Sequence, residues 1–398
     1  MSHESRRSNP VSPMNAELTA LFERLLRESG SVESTEWDAT DSRLGPAAYH
    51  DPAILELEKL KIFRRLPLCL GYADQLREPG SVLARDLLGL PLLITRDRSG
   101  EVHVLLNVCR HRGARMVKDE NELCRLNSLS CPYHAWTYEL NGALRGVPTP
   151  IAFPRLDKGT SGLRKLPSVV RHGFIWAILD PDQTGIDVAG FLGGIDDDLA
   201  TLGLGEHYFF RQRVQRRATN WKLMLDAFQE TYHIKKLHAQ TIAPFFTEVN
   251  PASEAVGLHT RILVGRDRLA DAEHLPPSQW DLRRHATLTH VIFPNSLLIY
   301  HPDSTSHMGM FPIGPNEIIF VHTMFIPEDA KTEKQIAHWE RNFAMIDGGV
   351  FSAEDLFISE QIQIGVACGA NDTLVFGRQE HNLRRFHENV RAMIGGSE

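Results

Sequence analysis

The feature that most constrains this 398-residue chain is a repeated pairing of cysteine with histidine. Cys109-Arg110-His111 is followed, after 19 residues, by Cys131-Pro132-Tyr133-His134. Each half offers one thiolate and one imidazole at near-neighbour spacing, and two such turns facing each other make a four-donor site. The flanks are short apolar runs broken by turn residues, so these donors belong to a small β module. Residues 92–95 and 102–107 flank Arg98-Ser99-Gly100, a hairpin signal, and Asn141-Gly142 is the strongest turn signal in the chain. Residues 174–179 read as a further strand. Zinc accepts two cysteines and two histidines. A mixed-ligand [2Fe–2S] cluster also takes them, cysteines on one iron and histidines on the other. One accidental Cys-x-His is unremarkable among five cysteines and nineteen histidines. Two in one small module are not.

Composition excludes several classes. Apolar residues make up 42% and charged residues 23%, as in an ordinary globular protein. A net charge of −7 provides no basic footprint for nucleic acid or an anionic membrane. Five cysteines are too few and odd in number for a disulfide framework, which fits a reducing compartment. The start, residues 1–13, is polar, reads as a tail and lacks a signal peptide's apolar stretch. No run approaches a bilayer span. A cytoplasmic location is expected.

Along the chain, Leu18, Leu21, Phe22, Leu25 and Leu26 share a helical face, and Gly30 is placed to end that helix. Asp51-Pro52 reads as the start of a helix to about Phe63. The expected divisions are an N-terminal helical segment at 1–62, the β module at 63–180 and an α+β domain at 181–398. In the last, helix is expected at about 219–237, 330–346, 352–367 and 379–394. Strands are expected at 258–264, 288–293, 296–301 and 317–326.

The first of those helices carries a second cluster. Asn220-Trp221-Lys222 leads through Asp226 to Glu230, Tyr232 and His233, with His238 five residues on. Glu230 and His233 share a helix face. His238 does not, so the helix must bend or end between the histidines. Two imidazoles are two-thirds of a 2-His-1-carboxylate ferrous site. Taken alone, they also read as surface or capping groups, with Asp226 and Glu230 as a solvated acidic stripe. A third ligand would be a distant carboxylate. Asp355 in Ser352-Ala353-Glu354-Asp355 is the leading candidate, although Ser352-x-x-Asp355 also reads as a capping box; Asp347 and Asp372 are rivals.

The loops 107–114 and 131–138, closed by Asn141-Gly142, resemble the cluster-binding loops of the Rieske non-haem iron oxygenases. The 220–238 segment resembles the iron-binding helix of the same family, and Glu354-Asp355 with the following helical Gln361, Gln363 and Gly365 completes the order. The resemblance covers about residues 48–391 and points to the terminal oxygenase (alpha) subunit of aromatic-ring-hydroxylating dioxygenases. It implies an all-β Rieske [2Fe–2S] domain followed by a helix-grip (START-like) α+β catalytic domain with a central antiparallel sheet. It implies that Cys109 and Cys131 hold one cluster iron and His111 and His134 the other, with Cys124 a spectator. It implies mononuclear Fe(II) on His233, His238 and Asp355. Glu230 becomes the catalytic bridge between an iron histidine and a Rieske histidine of a neighbouring subunit. The family has glycine where Ala135 stands. Asp226 and Ala227 depart from the Glu and Asn of one subset.

No dinucleotide or phosphate-binding loop occurs, so electrons from NAD(P)H must arrive through a separate reductase, with or without a ferredoxin. The resemblance implies a homotrimer without a small subunit. O2 is the co-substrate, and an aromatic or related small organic molecule is the expected substrate. Met224, Phe228, His290, Leu297, Ile299 and His307 are the expected pocket lining. Oxidative N- or O-demethylation, of a quaternary amine or an aryl ether, is the alternative. An electron carrier without oxygenase activity and a zinc-bearing binding module are readings from other classes.

Overall fold

The apolar runs of the C-terminal half pair into one antiparallel sheet of seven strands. In spatial order these are Tyr208–Arg217, Glu317–Ile326, Thr305–Gly314, Ser296–Tyr300, Ala286–Ile292, His259–Gly265 and Ala252–Val256. Ala286–Ile292 and Ser296–Tyr300 are buried along their whole length, which is why they read as continuous apolar runs without alternation. All four expected strands form. Tyr208–Arg217 escaped the sequence reading because its four arginines mask it, and it lies at the sheet edge, where charge is tolerated. The chain is α+β. The structure, a computed structural model, describes residues 14–395 apart from 30, 32, 119–120 and 248–249. The tail at 1–13 and the stop at Gly30 lie outside the described residues.

The β module contains three small sheets. Val102–Leu106, Leu90–Arg96, Ser81–Leu87 and Leu123–Arg125 form one. Leu129–Ser130, Thr137–Tyr138 and Leu144–Gly146 form the second, with Gly142 at φ +90° in the expected turn. Ser168–Arg171, Phe174–Ala177 and Leu68–Tyr72 form the third. Leu83, Leu87 and Ile94 of this module share one hydrophobic core with Trp221, Met308 and Phe320 of the large-sheet domain. Arg85 crosses the same seam, only 1% exposed, donating to Leu70 O at 3.0 Å and to Gln212 Oε1.

The N-terminal segment braces the catalytic half. Helix Ala16–Glu28 is capped by Asn15 and buries Leu18, Leu21, Phe22 and Leu25. Pro52–Glu58 is capped by Asp51, as its sequence predicts, and carries Glu58 to a fully buried position. There Glu58 accepts from Trp221 Nε1 at 2.8 Å and pairs with Lys222 Nζ. Asn220 caps the next helix, accepting from Lys222 N at 3.0 Å, while its Nδ2 donates to Tyr49 O and Pro315 O. The Asn-Trp-Lys run is therefore a structural staple. It fixes the start of the helix that leads to the two histidines.

That helix spans Trp221–Ala227 and resumes over Ile234–Leu237, so the break falls before His233 and not between the histidines, which flank the short second helix as its caps. Glu230 and His233 lie on the irregular stretch between the helices and not on a shared helix face. Downstream, Glu333–Phe343 opens with a Thr332–Gln335 capping box and runs on through Ala344–Asp355 into Leu356–Ala367. Residues 344–355 are wound as a wider π-helix, a form that concentrates at functional sites. The helix start expected at Ser352 is absent. Ser352 lies inside the continuous helix and accepts from Gln215 Nε2.

Candidate metal centres and the cavity

The two cysteine–histidine loops are near copies of each other. In each, the cysteine carbonyl accepts from the N–H four residues on, Gly113 and Ala135 respectively, at 2.9 Å. In each, the cysteine N–H returns a bond to the residue after that, Ala114 O and Trp136 O. Both fourth positions are left-handed: Gly113 at φ +78° and Ala135 at φ +56°. The conformation explains why glycine suits this position, and Ala135 carries a Cβ penalty there. Cys109 and Cys131 are buried. His111 and His134 lie with ring centroids 4.7 Å apart, and Trp136 stacks on His111 at 5.0 Å. Tyr138 accepts from Arg110 N at 3.0 Å, which leaves its hydroxyl proton for Cys109 Sγ at 3.3 Å. Cys124 stands aside, against Val82 O.

Two observations test which group fits these four donors. His111 Nδ1 and His134 Nδ1 are buried without a protein partner, a costly state unless something binds them. Yet no three of the four donors lie within 4.8 Å of one another, as a single tetrahedral ion requires; among the described residues only two other groups do. Donors spread over two metals fit a [2Fe–2S] cluster and not one zinc.

One of those two groups is His233, His238 and Asp355. His238 Nε2 lies 3.1 Å and His233 Nε2 3.9 Å from Asp355 Oδ1. Asp355 is 1% exposed, and neither carboxylate oxygen has a hydrogen-bond donor. A buried unsatisfied carboxylate facing two imidazole nitrogens is a site built for a cation. Burial works against charge on His238, but Asp355 and Glu354 overcome it and raise its pKa, so the site favours positive charge. The ring nitrogens turned away from this focus are held by glutamates. His233 Nδ1 donates to Glu230 Oε1 at 2.5 Å and His238 Nδ1 to Glu354 Oε2 at 2.7 Å. Such partners fix the tautomer that presents Nε2.

Glu230 thus reaches His233 from the irregular stretch between the two helices, and its other oxygen accepts from the Tyr232 and His233 N–H groups. Glu354, beside the expected ligand Asp355, orients His238. Its signal was the Glu354-Asp355 pair itself, one side chain for each role. Asp347 is not at this site. It binds His322 and Arg213 at 2.9 and 2.8 Å. Asp372 is exposed. Asp226 is not a solvated stripe: it is buried, accepting a hydrogen bond from the Tyr49 hydroxyl at 2.6 Å and lying 3.0 Å from His387.

The three donors open onto a cavity of about 340 Å³. Its walls are largely apolar, among them Phe228, Ile262, Ile299, Ile346 and Phe351, with a polar group made by Arg266, His301, Asp303 and Asn342. Phe228 and Ile299 were expected. Met224, His290, Leu297 and His307 do not line it. Met224 and Leu297 are packed in the core, His290 binds Asp198, and His307 faces Ser296. Strand alternation turns His290 away from the face on which Thr289 lines the cavity, while Met224 sits on the Trp221–Ala227 helix and Leu297 in the packed layer beside it.

A β module with paired Cys/His loops, joined to a domain holding a two-histidine, one-carboxylate cavity, defines a two-centre iron protein. The Rieske [2Fe-2S] domain model matches residues 67–158, and the ring hydroxylating alpha subunit catalytic-domain model matches 204–396. The chain belongs to the Rieske non-haem iron terminal oxygenases, whose cofactors are a Rieske cluster and a mononuclear iron. It is 30% identical over 202 residues to the glycine betaine monooxygenase oxygenase subunit of Chromohalobacter salexigens, covering 51% of this chain and 44% of that one. The match thus spans less than half the length of that relative. The carnitine monooxygenase oxygenase subunit of Acinetobacter baumannii is 24% identical, with 80% and 83% covered. Among solved structures, a quaternary ammonium Rieske monooxygenase superposes with TM-score 0.76 at 20% identity, with 89% and 96% covered. Naphthalene 1,2-dioxygenase from Rhodococcus sp. gives 0.74 at 19%, with 96% and 100% covered. These two share the fold. Among the described residues no helix is long and apolar enough to cross a membrane.

Proposed function

We propose that this chain is a terminal oxygenase component that hydroxylates a small organic substrate with O2, using electrons from NAD(P)H delivered by a separate reductase. The observation that carries this reading is the convergence of His233, His238 and Asp355 on one focus at the wall of a largely apolar cavity. On this reading Cys109, His111, Cys131 and His134 hold the cluster, and His233, His238 and Asp355 hold the iron. When bound, these groups supply one-electron transfer and O2 activation. The chain's own residues do the rest. Glu230 and Glu354 fix both imidazoles, Tyr138 donates to Cys109, and the apolar walls exclude water from the reacting centre. Glu230 also serves as the bridge to a histidine of a neighbouring subunit in a homotrimer, and the location is cytoplasmic.

An aromatic or related small molecule suits the walls. Oxidative demethylation of a quaternary amine is the second reading. Its support is the similarity to carnitine and glycine betaine monooxygenase subunits, together with the four phenylalanines, Phe228, Phe245, Phe246 and Phe351, that line the cavity. The test is substrate-dependent NADH consumption with a surrogate reductase across aromatics and methylamines, with iron and sulfide analysis. An oxygenase should hold about three iron and about two sulfide per chain. A colourless protein with one zinc, or a cluster protein inert to every substrate, would refute the reading.

A further inference from the structure

A line of buried hydrogen bonds leaves the cavity and ends on a fixed charge. His301 lines the cavity, and its Nε2 lies 3.1 Å from Ser306 Oγ. Ser306 is fully buried, and the same oxygen lies 3.0 Å from His322 Nε2. His322, also fully buried, has Nδ1 2.9 Å from Asp347 Oδ1. Asp347 Oδ2 accepts from Arg213 Nη1 at 2.8 Å. Phe343 stacks on the His322 ring at 5.1 Å and Phe351 meets it near-perpendicular at 5.0 Å, which holds the ring in place.

The charge at one end dictates the direction of every bond in the line. Asp347 is an acceptor, held ionised by His322 and Arg213 against the cost of burial. His322 therefore carries its proton on Nδ1. Burial pushes its pKa down despite Asp347, so the ring is neutral and Nε2 is a bare lone pair. A serine hydroxyl has one proton, and Ser306 must spend it on His322 Nε2. Its oxygen then accepts from His301, so the His301 proton sits on Nε2. Burial, with His322, Arg283 and Arg266 nearby, pushes His301 down to about 3, so this ring too is neutral. The second ring nitrogen, Nδ1, makes no hydrogen bond to a described residue. An imidazolium at His322 would reverse both serine bonds and put the proton on His301 Nδ1 instead.

We infer that His301 Nδ1 is a tautomer-locked hydrogen-bond acceptor in the cavity wall, and that the substrate it selects carries a donor, a hydroxyl or an N–H. His301 is a specificity-determining residue, and Ser306, His322 and Asp347 position its proton. The inference rests on the cavity being the oxygenase's substrate site and goes on to name the substrate class. A fully alkylated ammonium or a bare hydrocarbon leaves the lone pair unpaired; the same skeleton with a hydroxyl or N–H satisfies it.

Neutron diffraction from deuterated holoenzyme crystals tests the lock directly. Deuterium is expected on His301 Nε2, on Ser306 Oγ pointing to His322, and on His322 Nδ1; deuterium on His301 Nδ1 overturns the inference. Calorimetric titration of the reduced holoenzyme under argon tests the selectivity. The probe pairs are choline with its O-methyl ether and phenol with anisole for the hydroxyl source, and aniline with N,N-dimethylaniline for the N–H source. At least one donor member should bind about tenfold tighter than its methylated partner. His301→Phe should bring that pair within about twofold of each other. Ser306→Ala should weaken the preference without removing the acceptor. Equal binding within all pairs, no binding of any donor-bearing probe, or a preference that survives His301→Phe overturns the inference. Failure of the oxygenase reading would appear elsewhere, as absent O2-dependent turnover with an intact neutron result.

Discussion

Glu354 offers the sharpest division between a ligand and the group that aims one. Its Oε2 accepts from His238 Nδ1–H at 2.7 Å and also from Thr241 Oγ1 at 2.7 Å, while its neighbour Asp355 supplies the buried carboxylate at the focus. A charge-assisted bond of this kind contributes about 1.5–3 kcal/mol, and a neutral one about half that. Glu354→Gln keeps an acceptor and loses the charge, so ferrous affinity should fall about tenfold, equivalent to about 1.4 kcal/mol. Glu354→Leu removes both and should cost about a hundredfold. Asp355→Ala removes a donor outright and should abolish binding. The assay is chelator competition for Fe(II) under argon, with the visible absorbance of the cluster as an internal control that stays constant. An ungraded result would refute the reasoning: Glu354→Gln as empty as Asp355→Ala, or Glu354→Leu as tight as wild type. The first outcome would make Glu354 the ligand and shift the register by one.

Three further expectations follow from the packing. Ala135→Gly should stabilise the Rieske domain by about 1 kcal/mol, because φ +56° penalises a Cβ, and chemical denaturation followed by cluster bleaching measures it. Lys222→Met strands Glu58 at 0% exposure and should cost about 3–5 kcal/mol in urea unfolding; adding Glu58→Leu should restore most of it, and additive losses would show that the pair is uncoupled. Burial pushes His207 and His259 down to about 4 and His301 and His307 to about 3, so the unfolded chain takes up protons that the folded chain refuses. Their contribution is complete above about pH 6.5 and is lost as pH falls toward 4 and below, at about 1.4 kcal/mol per group per pH unit; urea midpoints measured from pH 8 to 5 should fall accordingly.

The legible parts of the sequence were those where chemistry is local. Paired Cys/His turns and the Asn-Gly hairpin are each decided within a few residues, so their spacing carries them, whereas the helix break expected between His233 and His238 falls before His233 instead. Ala135 was visible as a departure, and its left-handed backbone supplies the reason. What stayed hidden depends on partners far along the chain. Tyr208–Arg217 is a strand because Glu317–Ile326 pairs with it, whatever its arginines imply. Glu354 acquires its role from a histidine 116 positions away. The Asn-Trp-Lys run was legible as a signature, but its partner Glu58 lies 164 residues before Lys222, and no periodicity connects them. The cavity lining differs from expectation at three strand positions because the direction of each side chain in a two-sided buried sheet cannot be read from apolar runs, and at Met224 because that helical residue faces the core.

Arg85 sets a condition on how this protein can be taken apart. It is a cation at the join between the two halves, pushed down to about 10 by burial, with a backbone carbonyl and an amide oxygen from opposite sides as its hydrogen-bond acceptors. Graft the β module onto another catalytic half that lacks Gln212, and the guanidinium loses a partner in a place where water cannot replace it. Exchanging electron-transfer modules among oxygenases is therefore not a matter of matching cluster loops. A chimera built here has to carry the Arg85–Gln212 contact as a unit, or replace both with apolar residues, before its two iron sites can be asked to work together.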